Sequence, residues 1–317
     1  MDTVESTKDE MNGGQTDERQ RRVVTVGYDG SPRAARAVEW AATEAIRRAV
    51  TLRVVACYSE PSGVEPWAGV VSFDAEIARA SAEQELDGIV TVIAGRHPNL
   101  DVKSAAILGT PIERLVAEGQ HCDLLVLGTA GHSAYDAWWL GSVSHAVSRH
   151  TQCPVVLVPN VDIRTEHGRV LVGVDGSPVA WQALSWAGEE ADRRDAELLI
   201  AHVWSYPYGT ELSSPAGRDF SRVDAALTLD AAVEQARARQ RAPVRGRLIE
   251  GSTALKLADL TATADLIVLG SRGQSLVRSM LFGSVTQAVS ARASCPTVVV
   301  REHPPRDRND ESLGNGW

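Results

Sequence analysis

One glycine pattern occurs twice in the chain, as Gly128-Thr-Ala-Gly131 and again, 142 positions later, as Gly270-Ser-Arg-Gly273. In each case nine residues follow and then a Gly-Ser pair, Gly141-Ser142 or Gly283-Ser284. Each copy lies between a short apolar run and a run with helical spacing. Glycine lets backbone N–H groups turn toward an anion, and a helix N-terminus adds partial positive charge. The pattern therefore predicts two phosphate-binding loops, each between a strand and a helix.

The repeat extends over most of the chain. Asp29-Gly-Ser-Pro32 recurs as Asp175-Gly-Ser-Pro178, and Cys153-Pro-Val155 recurs as Cys295-Pro-Thr297. The early landmarks are 146 positions apart (29 and 175) and the late ones 142 (153 and 295), which predicts a four-residue deletion in a middle loop of the second copy. A period of this size indicates two duplicated domains rather than a solenoid.

The length of 317 residues is sufficient for two domains, each with its own core. The predicted organisation is a disordered leader (1–21), a first domain (22–160), a linker (161–168), a second domain (169–302) and a disordered tail (303–317). The leader is polar and has no apolar segment, so it does not resemble a secretory signal.

The composition is that of an ordinary soluble protein, with 44% hydrophobic and 23% charged residues. The net charge of −9 argues against a nucleic-acid or anionic-membrane partner, and no apolar stretch is long enough to span a bilayer. The cysteines form no Cys-x-x-Cys pair, which predicts buried, reduced thiols in a cytoplasmic protein. They are Cys57, Cys122, Cys153 and Cys295.

Short continuous apolar runs alternate with helical patterns in both halves, which predicts an α/β fold with a parallel sheet covered on both faces. The predicted strands are 23–28, 52–57, 102–108, 124–127 and 155–158, and then 170–174, 198–203, 244–249, 266–269 and 297–300. The predicted helices include 34–50, 74–95, one opened by Pro111, 180–194, 227–241, 255–262 and 285–292.

Ligands of such sheets bind at the carboxyl ends of the strands. In each half an aspartate follows the first strand, and a glycine follows both the third and the fourth. These residues are Asp29, Gly109 and Gly128 in the first half and Asp175, Gly251 and Gly270 in the second. Three chain segments therefore converge on one crevice per half, which favours a ligand site over ordinary turns.

The ligand is predicted to be a nucleoside polyphosphate. No Lys-Ser/Thr pair follows the glycines, as a Walker loop would require, and no Gly-x-Gly-x-x-Gly turn follows the first strand. The aspartates Asp29 and Asp175 point to ribose or to a metal-bound phosphate, and Arg272 is a candidate phosphate partner. Ser142 and Ser284 can donate hydrogen bonds at the start of a helix.

The complete pattern, with Asp-Gly-Ser after the first strand and Cys-Pro before the last, resembles the universal stress protein family. The resemblance covers residues 23–159 and 170–301 and is similar to the tandem-domain form found in actinobacteria. It implies, in each domain, a five-stranded parallel sheet with helices on both faces, a Rossmann-like fold related to the adenine nucleotide alpha-hydrolases. Members with the glycine motif generally bind ATP, so the resemblance implies ATP as ligand.

By position, the resemblance implies a set of nucleotide contacts in each half. In the first half they are Gly27, Asp29, Cys57, Gly109, Gly128, Thr129, Ala130, Gly131, His132, Ser133, Ala134, Gly141, Ser142 and Val143. In the second half they are Gly173, Asp175, Val203, Gly251, Gly270, Ser271, Arg272, Gly273, Gln274, Ser275, Leu276, Gly283, Ser284, Val285 and Thr286. Asp29 and Asp175 are also the candidate ligands of a Mg²⁺ ion that accompanies ATP, and no catalytic residue is predicted.

The two halves differ in their phosphate loops. Many family members have Arg where the first half has Ala130, whereas the second half keeps Arg272. One charged hydrogen bond is worth roughly 1.5–3 kcal/mol. The sequence therefore predicts that the second site binds ATP about tenfold to a hundredfold more tightly.

Three functions remain open. The favoured one is a nucleotide-binding stress-response regulator, in which ATP sets a conformation or oligomer that an unknown protein partner recognises. The alternatives are a slow ATPase or other ATP-consuming enzyme of the alpha-hydrolase type, and a scaffold that no longer binds nucleotide. The alpha-hydrolases tend to carry Ser-Gly-Gly-x-Asp-Ser after the first strand, whereas this chain has Tyr-Asp-Gly-Ser-Pro there, which favours the regulator.

The last strand of each half, 154–158 and 296–300, would lie at a sheet edge if the family order holds. Open edges invite pairing, and family members dimerise through this strand. The resemblance therefore implies that the two halves pair through these strands, and that whole chains form a homodimer.

Overall fold

The computed structural model describes residues 23–58, 75–129, 141–161, 166–206, 215–271 and 283–301. The predicted leader and tail lie outside these residues, as does part of the predicted linker. Within the described residues the chain forms ten strands and eight α-helices, and strands alternate with helices through each half.

The elements of the first half are β1 (Val23–Gly27), α1 (Pro32–Arg48), β2 (Thr51–Tyr58), α2 (Ala75–Arg96), β3 (Val102–Leu108), α3 (Pro111–Glu118), β4 (Leu124–Gly128), α4 (Ser142–His150) and β5 (Val155–Val158). Those of the second half are β6 (Arg169–Gly173), α5 (Pro178–Arg194), β7 (Glu197–Trp204), α6 (Pro215–Arg239), β8 (Val244–Glu250), α7 (Thr253–Leu260), β9 (Leu266–Gly270), α8 (Ser284–Ser290) and β10 (Thr297–Val300). A 3-10 turn, Thr261–Thr263, follows α7.

The predicted elements agree with these bounds within about two residues, except for α6. This helix begins at Pro215, twelve positions before the predicted start at 227. Its early apolar side chains, Phe220, Val223 and Leu227, are all exposed, and Ala225 is the first buried one among those described. Phe220, Val223 and Leu227 lie at helical spacing, so the apolar pattern was present in this part of the helix and the prediction began the helix too late.

The predicted deletion is confirmed and located. β7 starts 146 positions after β2, at residues 197 and 51, whereas β8 starts 142 positions after β3, at residues 244 and 102. The four missing residues therefore lie between these strands, in the segment that contains α6.

The described strands form one sheet in the order β3-β2-β1-β4-β5-β10-β9-β6-β7-β8. Neighbouring strands within each half are parallel, and β5 pairs with β10 in the antiparallel sense, with Val156 opposite Val298. The predicted pairing of the two halves is thus confirmed, and the two five-stranded parallel sheets are continuous. The outer edges of the described sheet are therefore β3 and β8. The homodimer stays a prediction, and it could not form through the edges of β5 and β10, because these two strands already pair with each other.

The core differs between the two faces of the sheet. On one face, α1, α2, α5 and α6 cover a single apolar cluster that runs through both halves and includes Val156 and Val298. On the other face, α3 and α4 cover one cluster and α7 and α8 cover another. β4 and β9 are buried on both sides, which explains their continuous apolar sequences.

A buried ionic cluster joins α1 to α5 across the centre of the molecule. Arg48 contacts Glu44 at 2.5 Å and Glu190 at 2.6 Å, and Arg194 contacts the same two carboxylates at 2.5 and 2.6 Å. The two glutamate side chains are completely buried. Arg193 also contacts Glu190. The cluster follows from the duplication, because Glu44 and Arg48 of α1 are equivalent to Glu190 and Arg194 of α5.

Two tryptophans flank this ionic cluster. The guanidinium of Arg48 lies 5.5 Å from the ring centroid of Trp186, and that of Arg194 lies 5.9 Å from the ring centroid of Trp40. Trp40 belongs to the shared apolar cluster and Trp186 packs against it.

All four cysteines are free thiols, as predicted, and Cys57 alone among them is only partly buried. The sequence did not indicate that Cys122 and Cys153 are neighbours, with their sulfur atoms 3.4 Å apart. The contact is specific to the first half, because Ala264 occupies the position equivalent to Cys122. In the ranges that the structure describes, no helix is long and apolar enough to cross a membrane.

Candidate functional site

A cavity of about 340 Å³ opens at the carboxyl ends of β1 and β4 in the first half. Its walls come from the turn after β1, the start of α1, the end of β2, α3, the end of β4 and the start of α4. The lining residues are Gly27, Tyr28, Asp29, Ser31, Arg33, Ala34, Val55, Cys57, Pro111, Leu115, Leu127, Gly128, Thr129, Gly141, Ser142, Val143 and Ser144.

The turn after β1 is built by its own polar side chains. Asp29 Oδ1 accepts a hydrogen bond from the backbone N–H of Ser31 at 3.1 Å, and Ser31 Oγ accepts one from Ala34 N–H at 3.1 Å. Ser31 thereby caps α1, whose first residue is Pro32, and Gly30 adopts a left-handed φ of +75°. The Asp-Gly-Ser-Pro sequence thus has a structural role in starting the helix, separate from any contact with ligand.

The second half repeats this turn. Asp175 Oδ1 accepts hydrogen bonds from the backbone N–H of Ser177 at 3.0 Å and from its hydroxyl at 2.6 Å. Ser177 Oγ in turn accepts from Ala180 N–H at 3.3 Å, and Gly176 has a φ of +80°. The roles of the two aspartates toward ribose or Mg²⁺ stay predictions.

Two glycines of the cavity lie in close contact with neighbouring atoms. A Cβ on Gly27 would lie 2.9 Å from Leu127 Cδ2, and one on Gly128 would lie 3.1 Å from the carbonyl oxygen of Arg33. The repeat equivalent of Gly27, Gly173, has the same constraint, with Leu269 Cδ2 at 2.8 Å. A side chain at Gly27 or Gly173 would have to displace a leucine methyl group, and one at Gly128 would press on the backbone of Arg33.

The start of α4 is fixed to the end of β4. The hydroxyl of Ser144 donates to the carbonyl of Gly128 at 3.0 Å, and the equivalent hydroxyl of Thr286 donates to Gly270 at 2.8 Å. Gly141, the N-cap residue, has a φ of +69°, which favours glycine. Because the first N–H groups of a helix have no acceptor within it, this end of α4 presents donors to the cavity.

The equivalent cap in the second half has another conformation. Gly283 has a φ of −65°, which any residue can adopt, and its N–H donates to the carbonyl of Ser271 at 2.8 Å. The sequence predicted equal roles for Gly141 and Gly283, whereas the structure requires glycine for its backbone conformation only at Gly141.

Two weakly acidic side chains line the first cavity in their neutral forms. Burial raises the pKa of Tyr28, and the negative charges of Glu85 and Asp29 add to the shift. Burial also raises the pKa of the Cys57 thiol to about 11, with a further contribution from Glu118. At neutral pH this part of the wall is therefore uncharged, and Val55 and Leu127 make it largely apolar.

Eight of the predicted contacts of the first half line the cavity, namely Gly27, Asp29, Cys57, Gly128, Thr129, Gly141, Ser142 and Val143. The predicted contact Gly109 is not among the lining residues. Its φ is +136°, and a Cβ there would lie 2.4 Å from Arg114 Nε, so the backbone itself requires glycine. The predicted contacts 130–134 lie outside the described residues.

In the second half the described contacts occupy the equivalent places on β6, β7, β9 and α8, and residues 272–276 lie outside the described part of the chain. Gly251 has a φ of +138°, equivalent to that of Gly109. Ser271 N–H donates to the carbonyl of Val300 at 2.7 Å, as Thr129 N–H donates to Val158 at 2.9 Å in the first half.

The chain matches the model of the Universal stress protein family twice, over residues 20–159 and 166–301. It belongs to the universal stress protein family. Universal stress protein Rv2005c of Mycobacterium tuberculosis is 33% identical over 297 residues, which cover 90% of this chain and 98% of the relative. Universal stress protein Rv2623 of the same organism is 31% identical over 291 residues, which cover 88% and 96%.

The crystal structure of a universal stress protein from Archaeoglobus fulgidus has the same fold as this family member. The TM-score is 0.65 at 20% sequence identity, with 90% of this chain and 97% of that chain covered. The tandem arrangement of two Rossmann-like domains is therefore shared along nearly the whole of both chains.

The sequence prediction missed several cavity residues of this universal stress protein. They are Tyr28, Ser31, Arg33, Ala34, Val55, Pro111, Leu115, Leu127 and Ser144. Some could have been found by periodicity, since Val55 lies two positions from Cys57 on one face of a strand, and Leu115 lies four positions after Pro111 on one face of a helix. Arg33 directly follows the Asp-Gly-Ser-Pro motif but has no counterpart in the second half, so the repeat did not reveal it.

The predicted Mg²⁺ site has little support from the protein side. In the part of the chain that the structure describes, no three His, Cys, Asp or Glu side chains are grouped so that they could hold a metal ion. Asp29, exposed at the cavity, already accepts a hydrogen bond from Ser31. These residues do not fit a metal site formed by the protein alone, so a metal would need phosphate oxygens as further ligands.

Proposed function

We propose that this universal stress protein binds ATP, with one site in each domain, and acts as a regulator through nucleotide-dependent conformation or oligomerisation. The observation that carries the proposal is the cavity of about 340 Å³ in the first half, which eight residues of the glycine motif and its neighbouring strands line. Ligand pockets of small molecules begin at about this size, and in α/β folds they lie at this edge of the sheet.

The chemistry of the walls suits an adenine nucleotide. The side chains of Val55, Cys57 and Leu127 offer an apolar, uncharged surface for a base. Across the cavity, the first turn of α4 offers backbone N–H groups and the hydroxyl of Ser142 to an anion. A ligand with an apolar aromatic end and an anionic end would satisfy both walls.

Binding without rapid turnover is the form of the proposal that the site favours. Among the described lining residues Asp29 is the one carboxylate, and its Oδ1 accepts the Ser31 N–H at 3.1 Å. Hydrolysis of ATP needs a group that positions water and charges that stabilise the transferring phosphoryl group. We therefore expect fewer than a few turnovers per minute with ATP and Mg²⁺.

The proposal is tested by calorimetric titration of the purified protein with ATP, in parallel with mass spectrometry of any small molecules it releases on denaturation. The double variant Gly131→Glu/Gly273→Glu places a carboxylate in both predicted phosphate loops and should abolish ATP binding through charge repulsion. Gly88→Glu is the matched control, because Gly88 is exposed on α2 and a Cβ there meets nothing within 4 Å among the described atoms.

We expect ATP binding by the parent and by the Gly88→Glu variant, and its loss in the double variant. If the parent protein neither binds nor releases an adenine nucleotide, the proposal is wrong and the scaffold that no longer binds nucleotide is favoured. Many ATP turnovers per minute by the parent would favour the enzyme, and a Tm measurement on each variant separates loss of binding from loss of fold.

A further inference from the structure

Arg33 is a basic residue in the wall of the first cavity that the glycine motif does not include. It is the second residue of α1 and is exposed to solvent. Nearby arginines are held by protein groups: Arg36 donates to Asn160, and Arg114 Nε donates to the carbonyl of Leu108 at 2.7 Å. By contrast, within the described ranges the guanidinium of Arg33 has no hydrogen-bond or ion-pair partner.

The backbone of Arg33 adjoins the strand end from which the first phosphate loop begins. A Cβ on Gly128 would lie 3.1 Å from the Arg33 carbonyl oxygen and 3.2 Å from its carbonyl carbon. Thr129, the next residue of the chain, lines the same cavity. Arg33 therefore lies beside the strand end at Gly128, in the wall of the same cavity as Thr129.

The two halves place their arginines at different positions. The residue equivalent to Arg33 in the second half is Val179, which is only 4% exposed and packs into the protein. The reverse holds in the phosphate loops, where the first half has Ala130 and the second has Arg272. Each half thus has an arginine at only one of the two positions, at the start of the helix in the first half and in the phosphate loop in the second.

We infer that Arg33 binds the phosphate groups of the nucleotide in the first site and replaces there the loop arginine that the first half lacks. The inference rests on the proposed function, because it assigns a ligand contact within the same cavity. A guanidinium can donate two parallel hydrogen bonds to a phosphate and keeps its charge at any physiological pH. The loop sequences alone predict that the first site binds ATP much more weakly than the second. With Arg33 in the first site, we expect the difference in ATP affinity between the two sites to be smaller.

The test uses the full chain with Gly273→Glu, so that only the first site is measured. In this background, Arg33→Ala should weaken ATP binding about tenfold to a hundredfold, the effect of one charged hydrogen bond. Adenosine, which lacks phosphate, should bind equally with and without Arg33, and Arg33→Lys should restore part of the ATP affinity. Arg36→Ala removes the same charge from the same helix outside the cavity and should leave both affinities unchanged.

The outcomes separate this inference from the proposed function. If the Gly273→Glu parent binds ATP and Arg33→Ala binds it equally well, the role of Arg33 is overturned and the proposed function stands. If Arg33→Ala lowers the affinities for adenosine and ATP by the same factor, Arg33 acts through the fold and its contact with phosphate is refuted. If the parent binds no ATP, both proposals fail for the first site. Because Arg33 is exposed, the Tm of Arg33→Ala should equal that of its parent, which the same samples verify.

Discussion

Cys57 shows how a single residue reports on the cavity. It is the least buried of the four thiols, and it lines the proposed nucleotide site. Burial raises its pKa to about 11 from a usual value of 9.0. Since the thiolate is the reactive form, the environment of Cys57 controls its reaction with alkylating agents.

We predict that Cys57 reacts with iodoacetamide at pH 8 about a hundredfold more slowly than an unperturbed cysteine, because about a hundredfold less of it is thiolate. The alkylation rate of Cys57 should keep rising as the pH increases from 9 toward 11, because the raised pKa means that the thiol is still losing its proton in this range. The measurement is the alkylation rate of the Cys57 peptide by mass spectrometry, with and without ATP.

Bound ATP should slow this alkylation, and Cys57→Ser provides the blank. Cys153 and Cys295 are 7% and 3% exposed, so they should react only in denaturant. Rapid labelling of either in the native protein would show that the described packing around these thiols is wrong.

At the residue scale, the sequence predicted those site positions that the repeat presents twice. Gly128 and Ser142 were found because their equivalents recur at a constant spacing. Arg33 was not found, because its equivalent is Val179 and nothing in the one-dimensional pattern places it beside Gly128. That contact exists only because β1 and β4 are neighbours in the sheet, although about a hundred residues separate them in the chain.

Among the elements, α1 and α5 are joined by the buried ionic cluster of Glu44, Arg48, Glu190 and Arg194. Burial raises the pKa of Glu44 despite the nearby charge of Arg194. At Glu190 burial acts in the same direction, but Arg194, Arg48 and Arg193 together hold its pKa below the usual value. Each carboxylate therefore depends on arginines from both helices, and neither helix would keep its charges buried alone.

We predict that Arg194→Ala destabilises the protein by about 3 kcal/mol, since it leaves buried carboxylates with fewer partners. Arg194 is only 7% exposed and contacts both Glu44 and Glu190. The measurement is the free energy of unfolding in urea, by circular dichroism.

Arg193→Ala is the matched control for this substitution. Arg193 contacts Glu190 but is 30% exposed, so its loss should reduce the free energy of unfolding by less than about 1 kcal/mol. Equal effects of the two substitutions would mean that the cluster stabilises the protein no more than a surface ion pair does.

The sequence indicated the elements well where they bury an apolar face. β5 and β10 were predicted at their observed bounds, because short apolar runs mark them, and every residue of both strands is buried. The start of α6 was missed although Phe220, Val223 and Leu227 lie at helical spacing, and the structure shows that all three are exposed. The arginines of the ionic cluster recur at both helix ends, yet their sequence gives no sign that they face each other.

On the scale of the whole molecule, the antiparallel pair β5–β10 joins the two halves into one sheet. Val156 and Val298 are opposite each other in this pair and are fully buried in the apolar cluster that both halves share. The halves should therefore unfold together, as a single cooperative unit.

We predict that Val298→Ala lowers the free energy of unfolding by about 2 kcal/mol, through the loss of two buried methyl groups and the cavity they leave. Hydrogen exchange, measured by mass spectrometry, should become faster in the strands of both halves because the opening is shared. Faster exchange confined to the second half would show that the domains are independent.

Val223→Ala is the control, since Val223 is 54% exposed on α6 and its substitution should change the free energy of unfolding by less than about 0.5 kcal/mol. Each variant removes two methyl groups from a valine, and both valines lie in the second half of the chain. A difference between them therefore reports on burial at the junction of the two sheets.

The sequence by itself determined the duplicated α/β fold, the strand ends that carry glycine, and the family. These properties are local or periodic, because hydrophobic runs, turn residues and a repeat spacing are set by neighbours along the chain. The tertiary structure alone decided that Arg33 lies beside Gly128, that Cys122 contacts Cys153, and that Arg48 and Arg194 share two buried carboxylates. Such contacts join residues far apart in the chain, and their geometry follows from the strand order and the packing of helices on the sheet.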